Sequence, residues 1–260
     1  MSAPQLPTEM VDCITDLLRA DPDALKACCL VSKSWIRRTR KHLFKCVDFK
    51  TPEDFGKWKR TFPNTVKSPA IHTRSLFFND ADKFTDVDDS WIQSFAGVVQ
   101  LKVAACQDHD YYGRPFSPFH GLSSAVKSLS MVWTDLPSRE VFDFLCSFPH
   151  LVDLHVAGEG RIRDSGEDWT VLPLPPLTGS IVLGTSTPGF VCQLLEISSH
   201  LFFKEVVWQD NSMDAFKGVA DLVERCSNVL ECIDIDFGMS AEPFPSTPAI
   251  TSVSICRTSD

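Results

Sequence analysis

The sequence predicts an α+β protein in two parts: three short helices in residues 1–48, followed by an α/β solenoid with a curved parallel sheet in residues 49–260. Two observations predict this architecture. Apolar residues recur at helical spacing over about the first forty positions, and a short apolar triplet then recurs at regular intervals along the rest of the chain. The charge distribution agrees, because residues 1–60 carry a net charge of +4 and the remaining residues −13.

The composition is typical of a folded globular protein, with 43% hydrophobic and 23% charged residues. The net charge of −9 argues against broad binding of nucleic acid, which needs a concentrated basic surface. No apolar run is long enough to cross a membrane, and the first residues lack the pattern of a signal peptide. We therefore expect a soluble intracellular protein, in the cytoplasm, the nucleus or both.

The first helix is predicted to begin at Thr8, whose side chain can cap it, with Glu9 in its first turn. At 100° per residue its apolar residues cover an arc of roughly 160°, wider than one neighbouring helix requires. These residues are Met10, Val11, Cys13, Ile14, Leu17 and Leu18. The polar residues that share the opposite side are Asp12, Thr15, Asp16 and Arg19.

Two more helices are predicted, one capped by Asp21 with Pro22 at its first position, and one that begins near Ser32. The last helix places Trp35 and Ile36 beside a basic run. That run is Arg37, Arg38, Arg40 and Lys41. Three such short helices cannot bury this much apolar surface among themselves, so the pattern favours either a partner or packing on the rest of the chain.

The order of residues in this segment is specific. It is Leu6-Pro7-x-Glu9, then Ile14, Leu17-Leu18, Asp21-Pro22-x-x-Leu25 and Leu30-Val31-Ser32-Lys33-x-Trp35. From Leu6 to about Phe44 it resembles the F-box, a three-helix motif that docks on the Skp adaptor of cullin-RING ubiquitin ligases. The Cys-rich second helix and the His-Leu-Phe ending are similar to the F-box families of mushroom-forming fungi.

The resemblance implies that the surplus apolar residues form half of a helix-on-helix interface with the adaptor. The positions it assigns to this interface are Leu6, Pro7, Met10, Ile14, Leu17, Leu25, Leu30, Val31 and Trp35. The alternative is that they pack only on the protein's own second part. The basic run also has two interpretations, a solvated helix face or a surface that steers the chain toward an acidic adaptor.

In the repeated triplet, apolar residues occupy the first, fourth and sixth positions. Its central residues are Leu76, Leu101, Leu129, Leu154, Ile181, Val206, Ile233 and Val253, separated by 25, 28, 25, 27, 25, 27 and 20 residues. Each triplet fits one short strand, and amphipathic stretches between the triplets fit helices. Those stretches are residues 90–95, 138–148, 189–197 and 213–226.

About eight units at this period resemble a leucine-rich repeat, in the irregular form that accompanies F-boxes, because the Asn or Cys that usually follows the strand is mostly absent. Stacked units give a parallel sheet on one side and helices on the other. The resemblance implies that the exposed sheet face and the strand-end loops hold a protein substrate. Since no polar capping repeat follows the last triplet, we expect an open sheet edge in a short or truncated family member.

Two loops are candidates for substrate recognition. Residues 106–121 carry the aromatic and basic residue types that dominate binding hot spots. They are Tyr111, Tyr112, Arg114, Phe116 and Phe119. The alternative is a loop that plugs the sheet edge. The second loop, residues 158–179, is rich in proline and favours an extended path; its alternative is a plain connection.

The sequence contains no GxSxG, HExxH or Gly-rich phosphate-binding motif. The acidic run that begins at Asp80 does not fit a calcium-binding EF-hand, which needs Gly and Glu where this chain has Thr85 and Trp91. Ten cysteines without a CxxC pair are typical of reduced, mostly buried thiols rather than of a zinc site or a disulfide framework. We therefore predict no catalytic residue, no metal and no cofactor.

The resemblance predicts a non-catalytic substrate receptor of an SCF-type ligase in the ubiquitin-conjugation pathway. Its partners are the Skp adaptor, through it the cullin-RING ligase, and an unidentified protein substrate, with no nucleic acid and no membrane. One alternative is an interaction scaffold whose F-box delivers no substrate. Another is a small-molecule hydrolase, which would require turnover by the isolated chain.

Overall fold

A computed structural model of the chain contains a nine-stranded sheet. The structure describes residues 6–84, 89–105, 116–122, 125–133, 138–158, 174–184, 187–198, 201–209, 213–236 and 252–256. Within those ranges the chain is a mixed α/β protein with a mostly parallel sheet. The predicted mixture of helices and parallel strands is therefore confirmed. Across the described residues, no helix has both the length and the apolar character needed to cross a bilayer.

Three helices precede the sheet, and their starts only partly follow the prediction. Asp21 is the N-cap of the second helix, as predicted, and its carboxylate accepts hydrogen bonds from the backbone N–H groups of Asp23 and Ala24. The predicted cap of the first helix is wrong, because Pro7 holds the N-cap position and Thr8 is already helical. The bounds are α1 (Thr8–Leu17), α2 (Pro22–Val31) and α3 (Lys33–Leu43).

The strands lie side by side in the order in which they occur along the chain. Their bounds are β1 (Cys46–Phe49), β2 (Ser75–Phe78), β3 (Gln100–Ala105), β4 (Ser128–Trp133), β5 (Asp153–Gly158), β6 (Ser180–Leu183), β7 (Glu205–Trp208), β8 (Cys232–Asp236) and β9 (Ser252–Cys256). The helices among them are α4 (Pro52–Thr61), α5 (Asp89–Gln93), α6 (Ser138–Cys146), α7 (Pro188–Ile197) and α8 (Met213–Cys226). This order, with one connection after each strand, is what stacked units produce.

The predicted triplets align in register across the sheet. Each central residue pairs with the central residue of the next strand, in the order Leu76, Leu101, Leu129, Leu154, Ile181, Val206 and Ile233. All of these except Ile233 are buried. Because a slip of one residue would turn the apolar side of a strand toward solvent, this buried row fixes the register.

The first strand was not predicted, although it carries the same pattern. Phe44, Val47 and Phe49 form a triplet, and Val47 pairs with Leu76 of β2. The predicted boundary between residues 48 and 49 therefore falls within β1. The sheet begins directly after α3, so no linker separates the helices from the first strand.

The last strand differs from the prediction of an all-parallel sheet. β9 is antiparallel to β8, and Ile255 rather than Val253 pairs with Ile233. A parallel return needs a crossover connection, usually a helix. The sequence between β8 and β9 contains three prolines, a composition that does not predict a helix.

Alternate strand residues and the helices behind them form one hydrophobic cluster. Phenylalanine dominates its amino-terminal half. The ring of Phe78 lies 5.3 Å from that of Phe49, 5.2 Å from that of Phe84 and 4.6 Å from that of Phe119, measured between centroids. Such pairs add about 0.5–1.5 kcal/mol each beyond the burial of their surface.

Candidate functional site

The amino-terminal helices expose an unusual share of apolar side chains. Ten large hydrophobic residues are exposed among the described residues, and half of them lie in residues 6–31. These are Leu6 (49%), Met10 (51%), Leu17 (83%), Leu30 (89%) and Val31 (66%). All five belong to the predicted adaptor-binding set. Scattered exposed apolar residues are ordinary, whereas their concentration in one segment indicates an interaction surface.

The first helix packs inward partly through its polar side. Val11 and Thr15 are buried, at 1% and 0% exposure. Met10 and Leu17 lie about 120–140° around the helix from the midpoint of that buried pair, and about 20° from each other. The inward-facing side therefore includes a threonine, while a methionine and a leucine face solvent on the other side.

Polar contacts hold α1 against α3. The Asp16 carboxylate accepts a hydrogen bond of 2.7 Å from Arg38 Nε and a second one from Arg38 Nη2. It also lies 2.6 Å from His42 Nε2. The hydrogen bonds from Arg38 and His42 hold the pKa of Asp16 well below its ordinary value. Arg38, one residue of the basic run, therefore makes an internal contact that the sequence pattern did not predict.

Acid is expected to weaken this contact. Because the folded chain holds the pKa of Asp16 below 3.8, the ionised carboxylate stabilises the fold above about pH 4, and this contribution is lost as the pH falls toward the folded-state pKa. We expect Asp16→Asn to lower stability at neutral pH and to flatten its decline between about pH 5 and about pH 2. Urea unfolding followed by circular dichroism measures this. Asp12→Asn, which removes a carboxylate from the same helix, is the control, and equal slopes for wild type and Asp16→Asn would contradict the expectation.

The second helix has an inner and an outer side. Leu25 and Cys28 are buried, at 1% and 8% exposure, and α2 packs against α3. Leu30 lies about 170° around the helix from the midpoint of those two residues. Leu25 therefore belongs to the core. Its predicted role as an adaptor contact is corrected, because a fully buried side chain has no surface available to a partner.

The remaining members of the predicted set lie between these extremes. Pro7 is exposed, whereas Ile14 and Trp35 are half-buried. The carbonyl of Trp35 accepts a 2.6 Å hydrogen bond from the buried hydroxyl of Thr39. This bond ties the Thr39 side chain to the α3 backbone and does not involve the Trp35 side chain.

No protein-family model matches the chain, and no curated protein does either. What the chain does must be inferred from the geometry of its helices and its sheet.

The solvent-facing side of the sheet is a second candidate surface. One row of aligned residues crosses it, formed by Asp48, Phe77, Lys102, Ser130, His155, Val182, Val207 and Asp234. Over β1 to β4 this side contains a groove of about 370 Å³. We call it the sheet groove. Its walls mix apolar, hydroxyl and charged groups, which suits recognition of a polypeptide.

Two contacts order side chains in and beside the sheet groove. Lys102 Nζ lies 4.9 Å from the centre of the Phe77 ring, in a cation–π contact. The Ser130 hydroxyl lies 3.3 Å from His155 Nδ1. Partial burial, with Lys102 nearby, lowers the pKa of His155, so this imidazole is neutral at pH 7. These residues were not predicted as a site, although each lies between the fourth and sixth positions of a triplet and so faces away from the core.

The prediction that the aromatic loop at residues 106–121 recognises a substrate is corrected for the two predicted contacts that the structure describes. Phe116 and Phe119 are fully buried. Phe116 stacks on Phe144 at 4.6 Å and Phe119 packs on Phe78 at 4.6 Å. Both belong to the core, which removes them from an exposed recognition surface. The other predicted contacts, Tyr111, Tyr112 and Arg114, lie outside the described residues, as do residues 159–173 of the proline-rich loop.

Over the part of the chain that the structure describes, no group of three or more His, Cys, Asp or Glu residues could hold a metal ion.

Proposed function

We propose that this chain is the substrate-recognition subunit of an SCF-type cullin-RING ubiquitin ligase, with α1 to α3 acting as an F-box that docks on a Skp adaptor. The observation that carries the proposal is the exposure of Leu17 and Leu30, at 83% and 89%. Burial of one leucine side chain contributes about 1.5–3 kcal/mol. Exposure of both leucines forgoes this stabilisation in the isolated chain, and a partner protein that covers them would recover it.

In α1 and α2, structural contacts lie on the inner side and exposed apolar residues on the outer side, which supports a docking role. Contacts such as Arg38 with Asp16, and the burial of Leu25, hold the helices together from inside. The exposed apolar residues of α1 and α2 are therefore available for binding a partner. A docking surface of this kind is preformed, so binding costs little ordering of the chain.

The sheet supplies the proposed receptor surface. Its solvent-facing row contains charged, polar and apolar residues, and the sheet groove presents Lys102 and Phe77 together. Such a row can pair with the polar and apolar groups of a polypeptide. In this proposal the chain makes no bond itself, and it holds the substrate close to the ubiquitin-charged enzyme, which makes the transfer effectively intramolecular.

The test is copurification of the chain with a fungal Skp adaptor. Leu17→Asp and Leu30→Asp place a charge in the proposed interface, and each is expected to weaken binding at least 30-fold, because loss of a hot-spot leucine costs about 2 kcal/mol or more. Val66→Asp is the matched control, since Val66 is as exposed as Leu17, at 83%, but lies outside α1 to α3, in a short 3-10 helix at Thr65–Lys67. Circular dichroism should show equal folding of all variants.

Each outcome has a definite meaning. Equal binding by Leu17→Asp, Leu30→Asp and Val66→Asp would contradict docking through this face. A folded wild type that fails to bind the adaptor would favour an interaction scaffold that works through the sheet groove alone. A cellular experiment distinguishes a receptor from a scaffold. If the chain is a receptor, replacing it with Leu30→Asp should reduce ubiquitination of the protein that it binds, and that protein should accumulate. If the chain is a scaffold, neither change is expected.

A further inference from the structure

The last two strands place two cysteines directly opposite each other. In the antiparallel pair of β8 and β9, Cys232 pairs with Cys256, and their sulfur atoms lie 2.6 Å apart. Both are free thiols here; Cys256 is exposed and Cys232 is half-buried. The prediction of mostly buried thiols is thus wrong, because four of the nine described cysteines are exposed.

We propose that Cys232 and Cys256 are a peroxide-sensitive pair that forms a reversible disulfide and ties β9 to β8. This site goes beyond the ligase function and does not rest on it.

The strand geometry fits the bond. A disulfide requires Cα atoms about 4.4–6.8 Å apart, and residues directly opposite in an antiparallel pair have Cα atoms about 4.5–5.5 Å apart. The register holds Cys232 and Cys256 in that position. The sulfur atoms already point toward each other, so closure needs a side-chain adjustment and no movement of the backbone.

Exposure assigns the two chemical roles. The thiolate of exposed Cys256 attacks one oxygen of hydrogen peroxide, the O–O bond breaks, and a sulfenic acid and hydroxide form. The Cys232 sulfur then attacks the sulfenic sulfur, the S–S bond forms, the S–O bond breaks and the Cys232 proton leaves in water. The balance is two thiols and one hydrogen peroxide giving one disulfide and two waters. Small thiols reverse the step by exchange.

The surrounding charges favour a neutral oxidant. The hydrogen bond that the Cys232 thiol shares with Cys256 raises the pKa of Cys232 to about 11, and the carboxylates of Glu205 and Asp234 act in the same direction. Cys232 therefore remains a thiol and serves as the resolving partner. The same carboxylates repel anionic disulfides such as oxidised glutathione, whereas hydrogen peroxide carries no charge.

The bond would fix an edge of the sheet. β9 pairs with β8 through an antiparallel ladder, and the Ser254 hydroxyl donates a 2.7 Å hydrogen bond to Asp234. A covalent link between the strands limits the freedom of the unfolded chain. We expect oxidation to raise the midpoint of thermal unfolding by about 5 °C or more.

The experiment treats the reduced chain with hydrogen peroxide and maps the products by mass spectrometry. Cleavage after Glu231 and Glu242 separates the two cysteines into different peptides, so a linked pair that lacks two hydrogen atoms identifies the bond. We expect this link in wild type and in Cys46→Ser, a matched control that changes an exposed cysteine of β1. We expect no link in Cys256→Ser, and loss of the link when a small thiol is added.

Three results would overturn the proposal: sulfinic acid on Cys256 without the link, dimers joined through Cys256, or a link that forms no faster in the folded chain than in urea. The thermal midpoint provides a second readout. Oxidation should raise it in wild type and Cys46→Ser and leave it unchanged in Cys256→Ser; an equal shift in all three would also overturn the proposal.

Discussion

Replacement of Phe78 by alanine is expected to lower the free energy of unfolding by about 3–5 kcal/mol. Phe78 is fully buried, and its ring packs against phenylalanines from four other segments, Phe49 on β1, Phe55 on α4, Phe84 and Phe119. Truncation would remove all of these contacts together and leave a cavity that the strands cannot close, because the register of β1 and β2 is fixed along their length.

The adjacent residue provides the control. Phe77 lies on the same strand but faces solvent, where Lys102 Nζ covers its ring at 4.9 Å. Phe77→Ala makes the same chemical change and is expected to cost about 1 kcal/mol, the size of an exposed cation–π contact. Urea unfolding of both variants measures the difference. Similar losses for Phe77→Ala and Phe78→Ala would mean that β2 does not separate a core side from a solvent side.

The repeat pattern predicted the sheet because periodicity reports burial directly. Each triplet placed apolar residues at alternate strand positions, and the spacing set which strand came next. The pattern failed where the chain departs from the repeat. β9 returns antiparallel, and nothing in Val253 or Ile255 distinguishes a parallel from an antiparallel strand. β1 was missed because Phe44 and Val47 were assigned to the end of the helical segment.

The candidate surfaces were harder to predict because sequence shows which residues are apolar but not which side of an element faces inward. Leu25 and Leu30 are five positions apart on one helix, and one is buried while the other is exposed. Phe116 and Phe119 have the residue type of a hot spot, yet they fill the core. The role of Asp16 depends on Arg38, 22 residues away, and no local pattern carries that pairing.

Leu25→Ala is expected to cost about 2–5 kcal/mol of stability in the helical segment. Leu25 has 1% of its surface exposed, and α2 and α3 pack together, so truncation opens a cavity in the interior of the helical segment. Hydrogen exchange of the α2 backbone amides measures the effect locally, and urea unfolding measures it for the whole chain.

Leu30→Ala is the control on the same helix, and it should change stability by no more than about 0.5 kcal/mol because its side chain already lies in solvent. The pair also bears on function. In the proposed ligase receptor, Leu30→Ala weakens adaptor binding without loss of stability, whereas Leu25→Ala loses stability first and binding only as the helices open. Protection of the α2 amides that falls equally in both variants would show that the fold needs Leu30, and would contradict the proposal that Leu30 is exposed in order to bind a partner.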